Sequence, residues 1–65
     1  MKICFNGTWE ETPTEISVAE FLKQRNLNAG EIIAEVNEAI LGGDEFGITL
    51  KDQDHLNVFR VVAGG

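Results

Sequence analysis

One stretch of this sequence, and only one of any length, is patterned as a helix, and that limits what the rest can be. Ser17 stands three residues before Glu20, the spacing at which a serine hydroxyl and a glutamate carboxylate each accept from the other's backbone N–H. Ile16 and Phe21 bracket the same start at the spacing of a hydrophobic staple. Val18, Phe21, Leu22 and Arg25 then recur at helical spacing, which predicts that Val18, Phe21 and Leu22 face a core. Asn26 and the run Asn28-Ala29-Gly30 mark the exit. A single helix can cover one face of one small sheet.

Strand patterns surround it. Lys2 to Asn6 alternates, with Ile3 and Phe5 on one face and Lys2, Cys4 and Asn6 on the other. Asn6-Gly7 suits a type I′ hairpin turn, because both residues accept positive φ. Thr8 to Thr12 returns, and Pro13 ends it. Ile32 to Asn37 reads as a third strand, with Ala34 and Val36 opposite in face to Ile33 and Glu35. Ile40-Leu41 is a candidate short edge strand, Gly42 to Gly47 a loop or single helical turn, and Asp52-Gln53-Asp54 a turn. Leu56 to Val62 is the last strand. The order β, β, α, β, short β, β predicts an α+β two-layer domain, a mixed sheet of four to five strands with the one main helix packed across one face. With 65 residues the chain is expected to form a single domain, residues 1–65, with 63–65 a flexible tail.

A domain this small has little material with which to cover both faces of a sheet. If the helix covers Leu56 and Val58, then Phe59 and Val61 lie on the bare face. Cys4 and Ile33 fall on that face of their own strands. Cys4, Ile33, Phe59 and Val61 are therefore the expected partner-binding patch.

Charge sets the kind of partner. Five basic residues face eleven acidic ones, a net charge of −6. Such a chain repels nucleic acid and suits proteins with basic patches. No apolar run approaches the roughly 20 residues that span a bilayer, and Met1-Lys2-Ile3 passes straight into strand-like sequence, so no membrane association and a cytoplasmic location are expected. The lone Cys4 cannot form an internal disulfide, in keeping with a reducing compartment.

The sequence closes Val61-Val62-Ala63-Gly64-Gly65. Glycine lacks a Cβ, so a Gly-Gly end is thin enough to thread a narrow channel. An α-carboxylate there would be ionised at neutral pH. It could attack the α-phosphate of ATP to give a mixed anhydride, with nothing bulky beside the carbonyl to block a second nucleophile.

At this point the chain resembles the ThiS-type sulfur carriers, ubiquitin-like β-grasp proteins of thiamin biosynthesis in the ThiS/MoaD superfamily. The resemblance rests on Ile3-Cys4-Phe5-Asn6-Gly7, on Ser17-Val18-Ala19-Glu20-Phe21-Leu22, on Glu35-Val36-Asn37-Glu38, and on Val58-Phe59-Arg60-Val61-Val62-Ala63-Gly64-Gly65. It covers the whole chain. It implies that a ThiF-type adenylating enzyme uses ATP to form an acyl-adenylate at Gly65. A cysteine desulfurase would supply sulfur for a thiocarboxylate, and a ThiG-type thiazole synthase would take that sulfur into the thiazole ring. Gly65 is then the modified residue, Ala63 and Gly64 its slender tail, and the carrier itself catalyses nothing, binds no cofactor and is monomeric when free. Where members often carry a proline and a later tryptophan, Ile40 to Phe46 stands instead, and the one tryptophan is Trp9. Two rivals share the Gly-Gly end: the small subunit of molybdopterin synthase, MoaD-like and usually longer, and a ubiquitin-like protein modifier joined to lysines.

Other features point to no chemistry. Cys4 has no local base, and His55 is the one histidine. Asp52, Asp54 and His55 read as a solvated turn rather than a metal site. Gly42-Gly43 lacks the Lys-Ser/Thr of a phosphate loop. Glu10 and Glu11 read as solvated charges that help attract a basic partner.

Overall fold

A computed structural model of the chain describes residues 1–61. Asn6 (φ 48°) and Gly7 (φ 86°) both sit in the left-handed region, as a type I′ turn requires. They join β1 (Lys2–Phe5) to β2 (Thr8–Glu11), antiparallel in the register Phe5 opposite Thr8 and Cys4 opposite Trp9. Thr12 and Met1 lock the far end by exchanging backbone hydrogen bonds of 2.9 Å.

α1 (Val18–Gln24) begins as its sequence dictates. The Ser17 hydroxyl accepts from the Glu20 N–H and the Glu20 carboxylate accepts from the Ser17 N–H, each at 3.1 Å. The Ser17 N–H holds the Glu20 carboxyl below its usual pKa, with its hydroxyl contact the second cause. After seven residues the helix stops in a Schellman turn. Asn26 takes φ 58°, its N–H donates to the Lys23 carbonyl, and the Leu27 N–H donates to the Leu22 carbonyl. A short 3-10 turn, Ala29–Glu31, leads into β3 (Ile32–Val36).

A second tight hairpin follows. Asn37 (φ 50°) and Glu38 (φ 73°) turn the chain so that Val36 opposes Ala39 and Glu35 opposes Ile40. The edge strand β4 is thus Ala39–Ile40, one residue earlier than Ile40-Leu41. β5 runs His55–Arg60, starting one residue before Leu56. Val61 lies beyond the strand, and Val62 lies outside the described residues.

The sheet order is β2-β1-β5-β3-β4. The first and last strands lie parallel at its centre, and every other pairing is antiparallel. One helix across a five-stranded mixed sheet of this order is a ubiquitin-like β-grasp. Its core is Ile3, Val18, Phe21, Leu22, Ala34 and Leu56, closed by Ile16 and Leu50. Ile16 is the residue that the hydrophobic staple with Phe21 singles out; sequence patterning does not single out Leu50. Tertiary contacts bring Leu50 in, through a Ser17–Thr49 bridge and a hydrogen bond from the Leu50 N–H to the Ile16 carbonyl.

Candidate functional site

The face of the sheet away from α1 is the candidate site. Ile33 and Phe59 are opposite one another in the β3–β5 ladder and so share this face. Glu35 opposes both Asn57 in β5 and Ile40 in β4, which places them in the next row. The Asn57 amide donates to the Glu35 carboxylate at 3.2 Å. Ile33, Ile40, Phe59 and Val61 are all exposed, Phe59 at 54% and Ile40 at 69%. Large apolar side chains standing together on one bare face make it the candidate contact surface.

Beyond β5 the Val61 N–H donates to the Glu31 carbonyl at 3.1 Å. This bond carries the β3–β5 pairing one step past the strands. Ala63, Gly64 and Gly65, the expected tail and modified residue, lie outside the described residues.

Of the four residues expected on the bare face, Ile33, Phe59 and Val61 are exposed and Cys4 is not. Cys4 is 6% exposed. It opposes Trp9 in β2 and His55 in β5, and the rings of those two neighbours meet edge to face with centroids 5.3 Å apart. The thiol is therefore walled in, and the surface at that end of the sheet is Trp9, half exposed. Trp9 and Ile40 are the face residues that sequence reasoning missed. A signal existed for Trp9: a two-residue turn at Asn6-Gly7 forces Cys4 and Trp9 into register.

Two acidic features also resolve. Glu10 is not merely solvated but forms an ion pair with Arg25. The Asp52 carboxylate accepts from the Lys2 N–H at 2.8 Å, and Asp54 accepts from the Lys51 N–H and the Asn37 amide. These carboxylates fasten the turn before β5. Among the described residues no group of three His, Cys, Asp or Glu side chains could hold a metal ion.

The described residues are thus a β-grasp domain with a bare apolar sheet face beside the end of β5. The ThiS family model matches residues 3–65. The crystal structure of the thiamine biosynthesis protein ThiS from Geobacter metallireducens superposes over all of both chains with a TM-score of 0.85 at 25% sequence identity. No curated protein sequence matches the chain. The chain belongs to the ThiS family.

Proposed function

We propose that this protein is a sulfur carrier of thiamine biosynthesis. The observation that carries the reading is the ThiS family match, which runs through Gly64 and Gly65. The exposed Ile33, Phe59 and Val61, next to the point where the chain leaves β5, support a docking role for the open face.

The chemistry proceeds on the carboxylate of Gly65. A ThiF-type adenylating enzyme binds ATP, and the carboxylate oxygen attacks the α-phosphorus. A C(O)O–P bond forms and pyrophosphate leaves. The desulfurase converts cysteine to alanine and holds its sulfur as a persulfide, whose terminal sulfur attacks the acyl carbon. A C–S bond forms, AMP leaves, and the resulting acyl disulfide is cleaved by two equivalents of a thiol reductant, which is oxidised to its disulfide and frees the desulfurase thiol, so that the thiocarboxylate carries one sulfur in place of one oxygen. A ThiG-type thiazole synthase accepts that sulfur. The absence of a Cβ at Gly64 and Gly65 keeps both attacks unhindered. The carrier contributes grip and geometry rather than catalysis.

The test is the intact mass of a protein whose chain ends at Gly65, after incubation with the adenylating enzyme, ATP, cysteine, desulfurase and a thiol reductant. A gain equal to exchanging one oxygen for one sulfur, localised to Gly65 and dependent on ATP, is expected. Offering the product to thiazole synthase separates this pathway from a MoaD-like role. No gain with an enzyme shown active on another carrier would overturn the reading, and adducts on lysines of other proteins would replace it with that of a modifier.

A further inference from the structure

α1 is too short to cover all of the sheet face it lies on. It ends in the turn at Arg25 to Leu27, and the helix-side residues nearest that end, Phe5, Ile32 and Val58, are only half-buried. They floor a groove of about 500 Å³ that is open to solvent, with Leu27 on its wall. Both arginines of the chain, Arg25 and Arg60, line the same groove. In a molecule with five basic residues and a net charge of −6, two cations at one apolar depression are out of keeping with the rest of the surface.

The two arginines are held differently. Arg25 is fixed: its guanidinium lies 3.6 Å from the centroid of the Phe21 ring and 5.2 Å from that of Phe5, it donates to the Phe21 carbonyl, and it pairs with Glu10. Glu10 balances its charge, so the net positive charge among the lining residues is that of Arg60. Arg60 opposes Ile32 in the β3–β5 ladder and is exposed. Its planar fork of N–H donors matches a carboxylate.

We propose that this groove is a docking site for a segment of a partner protein that carries an aliphatic side chain beside a carboxylate, the side chain resting on Phe5, Ile32 and Val58 and the carboxylate meeting Arg60. The floor argues against a bare inorganic anion, which would leave that surface unused. Repulsion between two molecules of charge −6 argues against a second copy of the chain. Arg60 sits between Phe59 and Val61, so a partner seated on the open face reaches the groove by rounding the end of β5. The inference rests on the chemistry of the groove and not on the sulfur-carrier reading.

The test uses the full chain labelled with nitrogen-15 and three acetylated, amidated probe peptides: Ser-Asp-Leu-Asp-Gly, its Asn-for-Asp twin, and its Ser-for-Leu twin. The acidic leucine peptide is expected to shift the amides of Phe5, Leu27, Ile32 and Val58 and the side-chain Nε of Arg60 saturably, with a Kd near about 1 mM. Either twin, or Arg60→Gln in the protein, is expected to weaken binding up to about fivefold, as loss of an exposed charge pair or a small apolar contact does. Arg60→Lys, which keeps the charge but not the fork, should fall between the wild type and Arg60→Gln. The proposal is overturned by an absence of saturable shifts up to about 10 mM peptide, by shifts centred on Ile33 and Phe59, by equal binding of the three peptides, or by inorganic phosphate reproducing the pattern. The titration needs neither ATP nor an adenylating enzyme, so its failure leaves the proposed function where it stands.

Discussion

Phe59 and Phe21 make a controlled pair, because the same substitution should act on different properties at the two sites. Full burial of a phenylalanine side chain is worth about 1.5–3 kcal/mol. Phe59 is 54% exposed, so folding has realised about half of that, and Phe59→Ala should cost the fold only about 1 kcal/mol. The other half is still in water. A partner that covers it gains a further 1 kcal/mol or so, and losing that contact should weaken docking about fivefold to tenfold. Phe21 is fully buried, packs edge to face on Phe5 at 5.2 Å and carries the Arg25 guanidinium on its ring. Phe21→Ala should cost about 3–5 kcal/mol, which is comparable with the whole stability of about 3–5 kcal/mol that a core of this size supplies.

Denaturant melts of the two variants, followed by binding of Phe59→Ala to the proposed adenylating partner on a sensor surface, check both halves. The expected result is a folded Phe59→Ala protein with a slightly earlier midpoint and a faster partner dissociation, beside a Phe21→Ala protein unfolded in large part before denaturant is added. A Phe59→Ala loss near 3 kcal/mol would mean that the open face is filled in solution. An unchanged partner affinity on an intact fold would mean that this face is not where the partner sits.

Three further outcomes are expected. Gly7→Ala meets no neighbouring atom within 4 Å, so its cost is the strain of φ 86° alone, about 1 kcal/mol in a denaturant melt; a neutral result would show the turn relaxing to another type. Because Glu20 has its folded pKa lowered, its stabilising contribution is present above the usual carboxylate range and lost as pH falls through the folded pKa, so the stabilities of the wild type and Glu20→Gln should converge in acid; a gap constant with pH would remove the charge from the cap's action. Cys4 should react with an aromatic disulfide reagent only as fast as the protein opens, and Trp9→Ala should speed that reaction; full reactivity in the native wild type would contradict the wall formed by Trp9 and His55.

Where the sequence was legible, the signals were local. The Asn6-Gly7 turn, the Ser17 and Glu20 capping box and the division of strand residues between faces each depend on neighbours a few positions away, and the structure has them where the pattern placed them. The misses are of another kind. Cys4 is hidden by His55 only because β1 and β5 lie side by side in parallel, a pairing of residues 51 apart that no local pattern encodes. Leu50 joins the core through contacts with the Ile16–Ser17 segment, which is distant in sequence. The β3–β4 turn uses Asn37 and Glu38, and a glutamate at φ 73° carries none of the glycine signal that marks a type I′ turn, so the edge strand was displaced by one residue. Ala63 to Gly65, on which the proposed chemistry depends, lie outside the described residues.

The length of the helix ties the remaining observations together. Seven helical residues bury Ile3, Ala34 and Leu56 at the centre of the sheet and then stop at Asn26, whose left-handed backbone ends the helix. Val58, expected beneath the helix with Leu56, is for that reason only half-buried, and the sheet carries accessible apolar surface on both sides near the end of β5. A longer helix would cover Val58 and Ile32, add to the core and raise stability, but it would also close the groove beside Arg60. The same few residues therefore set a limit on the stability of the fold and leave the end of β5 reachable from two faces. A domain whose proposed task is to hand its last residue to successive enzymes has use for both faces, since each partner must hold the grasp fold while leaving the terminus free to enter an active site.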